Sequence, residues 1–112
     1  MREVTVLDPE RVRVVHLLTT DVVSTVGSVH EATVTAEVSR ALEFTESAEE
    51  FAQKLADDVQ QVLHDTFVDT TWPACPRHRL HPLWYRDGSW WCEVDGETLA
   101  RLGELPVRRA AG

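Results

Sequence analysis

A chain of 112 residues, 43% hydrophobic and 27% charged, has the composition of one folded domain and excludes a disordered or fibrous protein. No apolar run approaches the roughly 20 residues of a membrane-crossing helix, so no membrane partner is expected. The net charge of −8 is uneven, with five Arg or Lys against fourteen Asp or Glu through residue 71, then six against five in a tail that holds all four tryptophans.

Up to residue 44 the pattern reads as strands. Glu3 to Leu7 is a short one, Asp8-Pro9-Glu10 a turn, and a second β-rich run extends from Val12 to about Thr19. After a break at Thr20-Asp21, Val22 to Val26 forms a short apolar segment closed by Gly27-Ser28. From Glu31 to Val38 the residues alternate, with Ala32, Val34, Ala36 and Val38 on one side, which predicts a half-buried strand extending towards Phe44. Short turns between neighbouring segments make an antiparallel meander the economical topology.

The period then changes from 2 to 3.6. Ala48, Phe51, Ala52, Leu55, Val59, Val62, Leu63 and Phe67 fall on one helical stripe, and Ser47 with Glu50 forms a capping box at its start. The spacing predicts one long amphipathic helix from Ser47 to about Val68, packed on the meander as a two-layer α+β body over residues 1–71. Its acidic outer face reads as a solvated surface. Thr70-Thr71-Trp72-Pro73 stops the helix.

Residues 72–107 then form a small separate module, before a frayed tail at 108–112. Cys75-Pro76-Arg77-His78, His81 and Cys92 place both cysteines and two of the five histidines within eighteen residues. These side chains hold zinc, and Cys-x2-His is a spacing that zinc uses. Pro76 favours a tight turn that aims Cys75 and His78 at one point. Downstream, Asp87-Gly88 between aromatic-rich runs predicts a β-hairpin with a type I′ turn, pairing Trp84 with Trp91 and Tyr85 with Trp90. Period-2 alternation then puts His81 on the face of Cys92. Two ligands from a knuckle and two from a hairpin make a closed structural Zn2+ site of Cys75, His78, His81 and Cys92. Asp95-Gly96 is a further turn, and Thr98 to Leu102 a single helical turn.

Other readings compete. Cys75 and Cys92 can form a disulfide, although Arg2 and Glu3 begin a charged N-terminus without the apolar stretch of a signal peptide, which predicts a reducing cytoplasm. The thiols can be unrelated, or His64 can replace His81 as fourth ligand. A thiol phosphatase needs an arginine where His81 stands, and a thioredoxin-like motif needs a second cysteine where His78 stands. His16 and His30 have no carboxylate or nucleophile spaced to pair with them.

The runs Trp72-Pro-Ala-Cys-Pro-Arg-His-Arg-Leu-His-Pro-Leu, Trp91-Cys92 and Leu99-Ala-Arg-Leu-Gly-Glu-Leu resemble the C-terminal segment of many small uncharacterised actinobacterial proteins. The resemblance covers residues 72 to 105. It implies a zinc-ribbon-like module with Cys75, His78, His81 and Cys92 as ligands, and implies no activity. Val94-Asp95-Gly96 departs from the Pro and Gly pattern of that group.

Three functions follow from these residues. The first is a non-enzymatic accessory module that docks onto a protein partner through Arg77, Arg79, Trp84, Tyr85, Arg86, Trp90 and Trp91, residue types enriched at interface hot spots. The second is single-stranded nucleic-acid binding by the same arginines and rings, which the acidic body opposes. The third is a metal-dependent hydrolase, for which only Glu93 and Asp95 stand close enough in sequence to serve as base.

Overall fold

Asp8 and Pro9 begin a helix. In the computed structural model, which describes residues 7–66, 71–78 and 80–106, Asp8 accepts from the Arg11 backbone N–H at 2.8 Å. Pro9 supplies a φ already suited to a first helical position. Helix α1 spans Pro9–Val26 and stops at Gly27, whose φ of 105° disfavours any side chain. A 3-10 turn at Ser28–His30 leads directly into α2, Glu31–Glu43, and α3 is Ala48–Asp65.

The class is α+β, the described residues forming three α-helices and a three-stranded antiparallel sheet. The meander expected before residue 44 is corrected: Pro9 to Glu43 is helical apart from Gly27 and the 3-10 turn, so three helices stand where one was expected. Of the strand expected at residues 3–7, all but Leu7 lies outside the described residues. The β-branched residues invite a strand reading, yet burial follows the helical period. On α1 the buried residues are Leu18, Asp21 and Val22, with Val14 and Val15 partly covered. On α2 they are Val34 and Ala41, with Val38 and Leu42 beside them. Ala32 and Ala36, which completed the apparent alternation, are exposed, and alanine is the best helix former. The helices pack pairwise on one another, and burial of a helical stripe outweighs a weak strand propensity.

Helix α3 follows expectation. Ser47 Oγ accepts from Glu50 N at 3.0 Å while Glu50 Oε1 accepts from Ser47 N at 3.3 Å. Phe51, Ala52, Leu55, Ala56, Val59 and Leu63 are buried along it. Its expected end at Val68 lies outside the described residues.

Strands β1 (Trp84–Arg86), β2 (Ser89–Cys92) and β3 (Glu97–Arg101) pair in sequence order. The first hairpin has the expected register, Trp84 to Trp91, Tyr85 to Trp90 and Arg86 to Ser89. Asp87 (φ 49°) and Gly88 (φ 83°) both take the positive φ of a type I′ turn. β3 occupies the stretch expected as a helical turn, because Asp95-Gly96 folds the chain back and Glu97 pairs with Cys92.

The buried cluster is continuous across the boundary drawn at residue 71. Leu18, Phe51 and Leu55 share one core with Trp72, Leu83 and Trp90. Polar side chains stitch the two parts together. Gln60 Nε2 donates to the carbonyls of Trp72 (3.0 Å) and Leu83 (2.9 Å), and Gln53 Nε2 to that of Tyr85 (3.0 Å). On the other side, buried Asp21 of α1 accepts from Trp90 Nε1 (2.8 Å), Gly103 N (2.7 Å) and Leu105 N (3.0 Å). Burial raises the Asp21 pKa above the ordinary 3.8, against the pull of these donors and with the Glu104 charge adding to it.

Candidate metal centre

Two turns face each other at one end of the sheet. In the first, Ala74 bridges Pro82, Cys75 N donates to His81 O at 3.0 Å, and His81 N donates to His78 O at 2.8 Å. These bonds close the loop from Cys75 to His81 and hold Cys75 inward. In the second, Gly96 N donates to Cys92 O at 2.8 Å and Asp95 N reaches Cys92 Sγ at 3.4 Å. Gly96 takes a φ of 69°, which lets the chain reverse immediately after Asp95.

The side chains converge between these turns. Cys75 Sγ and Cys92 Sγ stand 3.6 Å apart, each residue 1% exposed. Both are free thiols; a disulfide needs about 2.05 Å. His78 Nε2 lies 3.2 Å from Asp95 Oδ1, and the ligand atoms of His78, Cys92 and Asp95 all fall within 4.8 Å of one another. This group could hold a metal ion. Arg77, between Cys75 and His78 in the chain, reaches across to Asp95 Oδ2 (2.8 Å) and Glu97 Oε1 (2.7 Å). Hydrogen bonds from His78 and then Arg77 hold the Asp95 carboxyl below its ordinary pKa.

Of the four expected ligands, His78 and Cys92 fall in this group, and Cys75 meets Cys92 alone. Cys75 touches Cys92, and His78 reaches both Cys92 and Asp95. His81 does not join them in the same way. It is exposed, with its ring centroid 6.3 Å from that of His78, and its backbone does the work of closing the loop. Strand alternation does not extend back to His81, because regular pairing in β1 starts only at Trp84. His64 is engaged elsewhere: its Nε2 donates to Trp72 O at 3.0 Å. Asp95 is the member of the group that the sequence reading weighed only as a base. The available signal was the repeat of spacing, Cys75-x2-His78 matched by Cys92-x2-Asp95 and then Gly96.

The residues expected to meet a partner divide by burial. Tyr85 and Trp90 belong to the core, which corrects their placement on a docking surface. Trp90 sits edge-on to Trp72 (5.4 Å) and to Tyr85 (5.9 Å), since a module this small must fill its interior with rings. Arg77 is spent on two carboxylates, and Arg79 lies outside the described residues. Trp84, Arg86 and Trp91 remain on the outer face of the sheet. Trp84 is 40% exposed with its Nε1 donating to Glu93 at 3.3 Å, and the Arg86 guanidinium lies 4.7 Å over the Trp91 ring.

No protein-family model, curated protein or solved structure matches the chain. Among the described residues, no helix is long and apolar enough to cross a membrane.

Proposed function

We propose that this protein is a non-enzymatic interaction module whose segment from Trp72 to Pro106 is held together by one structural zinc ion, with Cys75, His78 and Cys92 among its ligands. The observation that carries this reading is two buried free thiols 3.6 Å apart, beside the convergent ligand atoms of His78, Cys92 and Asp95. Thiolate and imidazole donors in a tetrahedral arrangement favour zinc over the hard cations. A site filled by four protein ligands leaves no position for water, so its contribution is to folding.

The partner is a protein, met on the outer face of the sheet. Trp84, Arg86 and Trp91 stand together there, and Trp and Arg dominate interface hot spots. Nucleic-acid binding draws less support, because Arg77 is committed to Asp95 and Glu97 and the chain carries −8. A hydrolase draws less too, since Glu93 accepts from Trp84 and Asp95 lies among the candidate ligands.

Elemental analysis of the purified protein tests the zinc. One zinc per chain is expected, lost in Cys75→Ser and Cys92→Ser. A chain that stays metal-free after reduction and reconstitution with zinc sinks the reading. For the interaction, Trp84→Ala with Arg86→Ala is expected to abolish capture of a stoichiometric protein partner while metal content is unchanged. A stable monomer that captures no protein removes that half.

A further inference from the structure

We propose that the fourth zinc ligand is Asp95, through Oδ1, and that Arg77, backed by Glu97, is the positioning residue that aims it. The inference rests on the zinc reading above and replaces His81 in the ligand set.

The two facing turns offer equivalent pairs of donors. Each presents a cysteine and, three residues on, a second donor: His78 in one and Asp95 in the other. With zinc–sulfur bonds of about 2.3 Å and zinc–nitrogen or zinc–oxygen bonds of about 2.0–2.2 Å, a tetrahedral site sets its two sulfurs about 3.8 Å apart and its nitrogen and oxygen about 3.4 Å apart. The corresponding separations here are 3.6 Å for Cys75 Sγ to Cys92 Sγ and 3.2 Å for His78 Nε2 to Asp95 Oδ1. In a tetrahedral site of these four residues the two pairs would be opposite edges, with Cys75 joined to the group of His78, Cys92 and Asp95 through its contact with Cys92. Both edges are close to their bound lengths, with His78 and Asp95 also within 4.8 Å of Cys92 Sγ.

The carboxylate is also oriented for the task. Its Oδ1 faces His78, while its Oδ2 is taken by Arg77 Nη1 at 2.8 Å. The same nitrogen contacts Glu97 Oε1 at 2.7 Å, so Arg77 is held from the far side. One oxygen is left for a metal and the other is fixed, which is the usual arrangement around a ligating carboxylate. Charge agrees. Two thiolates and a carboxylate around Zn2+ leave a site of −1, which the guanidinium at Oδ2 offsets. Arg77 comes from the first turn and Asp95 from the second, so the ion pair also ties the turns together. His81 has no partner group of this kind; its ring is edge-on to His78, with the centroids 6.3 Å apart.

Cobalt reconstitution of the full chain tests this. Co2+ takes the same tetrahedral site, and its visible bands report donor number and type, while competition with a chromophoric chelator reports affinity. The wild type is expected to give intense tetrahedral bands with thiolate charge transfer. His81→Ala should keep the bands and bind within about threefold of wild type, whereas Asp95→Asn should weaken binding by more than about 100-fold, exceeding the effect of an outer contact. Asp95→Cys should restore tight tetrahedral binding and add charge-transfer intensity, which keeps the test valid if the asparagine variant folds poorly. Arg77→Ala should weaken binding about 10–100-fold with band energies unchanged, the mark of a positioning residue, and Arg77→Lys should recover part of the loss. A wild type that binds neither cobalt nor zinc overturns the zinc reading itself. A wild type that binds normally, with Asp95→Asn silent and His81→Ala losing the tetrahedral spectrum, overturns only the assignment of Asp95. If Arg77→Ala binds as wild type does, Arg77 has no positioning role.

Discussion

The helical body and the C-terminal module solve the problem of burial by different means. The body contributes Leu18, Val22, Val34, Phe51, Leu55, Val59 and Leu63 to the core, aliphatic and ring carbon on three helices that also cover one another. The module contributes Trp72, Leu83, Tyr85 and Trp90 together with two thiols, on strands of three to five residues. A short hairpin is marginal alone in water. This one is held by two further devices, donors from Gln53 and Gln60 on α3 and the Asp21 carboxylate on α1, and the proposed zinc at its open end would add a third. Helices can be stabilised by a stripe of carbon, whereas a three-stranded sheet of this size depends on polar ties to whatever lies beneath it.

The harshest way to probe that dependence is to remove the proposed zinc. Binding energy in small zinc sites is folding energy, on the order of 10 kcal/mol. A strong chelator, or Cys92→Ser, is therefore expected to shift tryptophan emission to the red, since Trp72 and Trp90 lose their buried positions. The thermal midpoint followed by helical dichroism should fall as well, because Leu18 and Leu55 share one buried core with those rings. If emission shifts and the helical midpoint stays where it was, the two regions are separate folding units and the shared core contributes little.

Asp21 is the next strongest tie. Asp21→Ala leaves the N–H groups of Trp90, Gly103 and Leu105 without an acceptor, and each buried orphan costs about 1–3 kcal/mol, so a loss of about 3 kcal/mol or more is expected in urea denaturation. Gln60→Leu should cost less, about 1–3 kcal/mol, through the unpaired carbonyl of Leu83, since His64 still donates to that of Trp72. Asp21 also has a pH signature. Its folded pKa is raised above 3.8, so the folded state binds the proton more tightly than the unfolded state. Its contribution to stability is then greatest below 3.8 and declines as pH rises through the folded value. Relative to Asp21→Asn, which cannot titrate there, wild type should lose stability across that window. A gain instead means that the three donors outweigh burial.

The same contrast explains how much of the molecule was legible. In the module, local chemistry is nearly sufficient. Asp87-Gly88 dictates a type I′ turn, and the turn fixes the register of Trp84 and Tyr85 against Trp91 and Trp90. The Cys75-x2-His78 segment likewise lies in a turn, closed by backbone bonds from Cys75 and His81. In the first two helices local chemistry is divided. Asp8-Pro9 is a helix start as well as a turn, and Val34 to Val38 fits either period. Packing against α3 decides between them, and no window of eight residues contains that information. Asp95 was obscured for a related reason. A carboxylate is an ordinary turn residue, and only the facing loop, with His78 and Arg77 in it, turns it into a candidate ligand.

The gentlest perturbation asks whether a change confined to the body is felt in the module. Ser47→Ala removes half of the capping box of α3, at a site far in sequence from every tryptophan, and should cost about 1 kcal/mol. For a domain of this size that corresponds to a fall of about 4 °C in midpoint. Gln53 and Gln60 on α3 hold the edge strand and the segment before it, so the strain of a frayed first turn passes to the module through the helix that carries them. Tryptophan emission and helical dichroism should therefore show the same fall, in metal-loaded protein at fixed pH. A fall seen by dichroism alone would mean that the metal holds the module folded after the body has loosened, and that the side-chain ties from α3 add little to what the metal already secures.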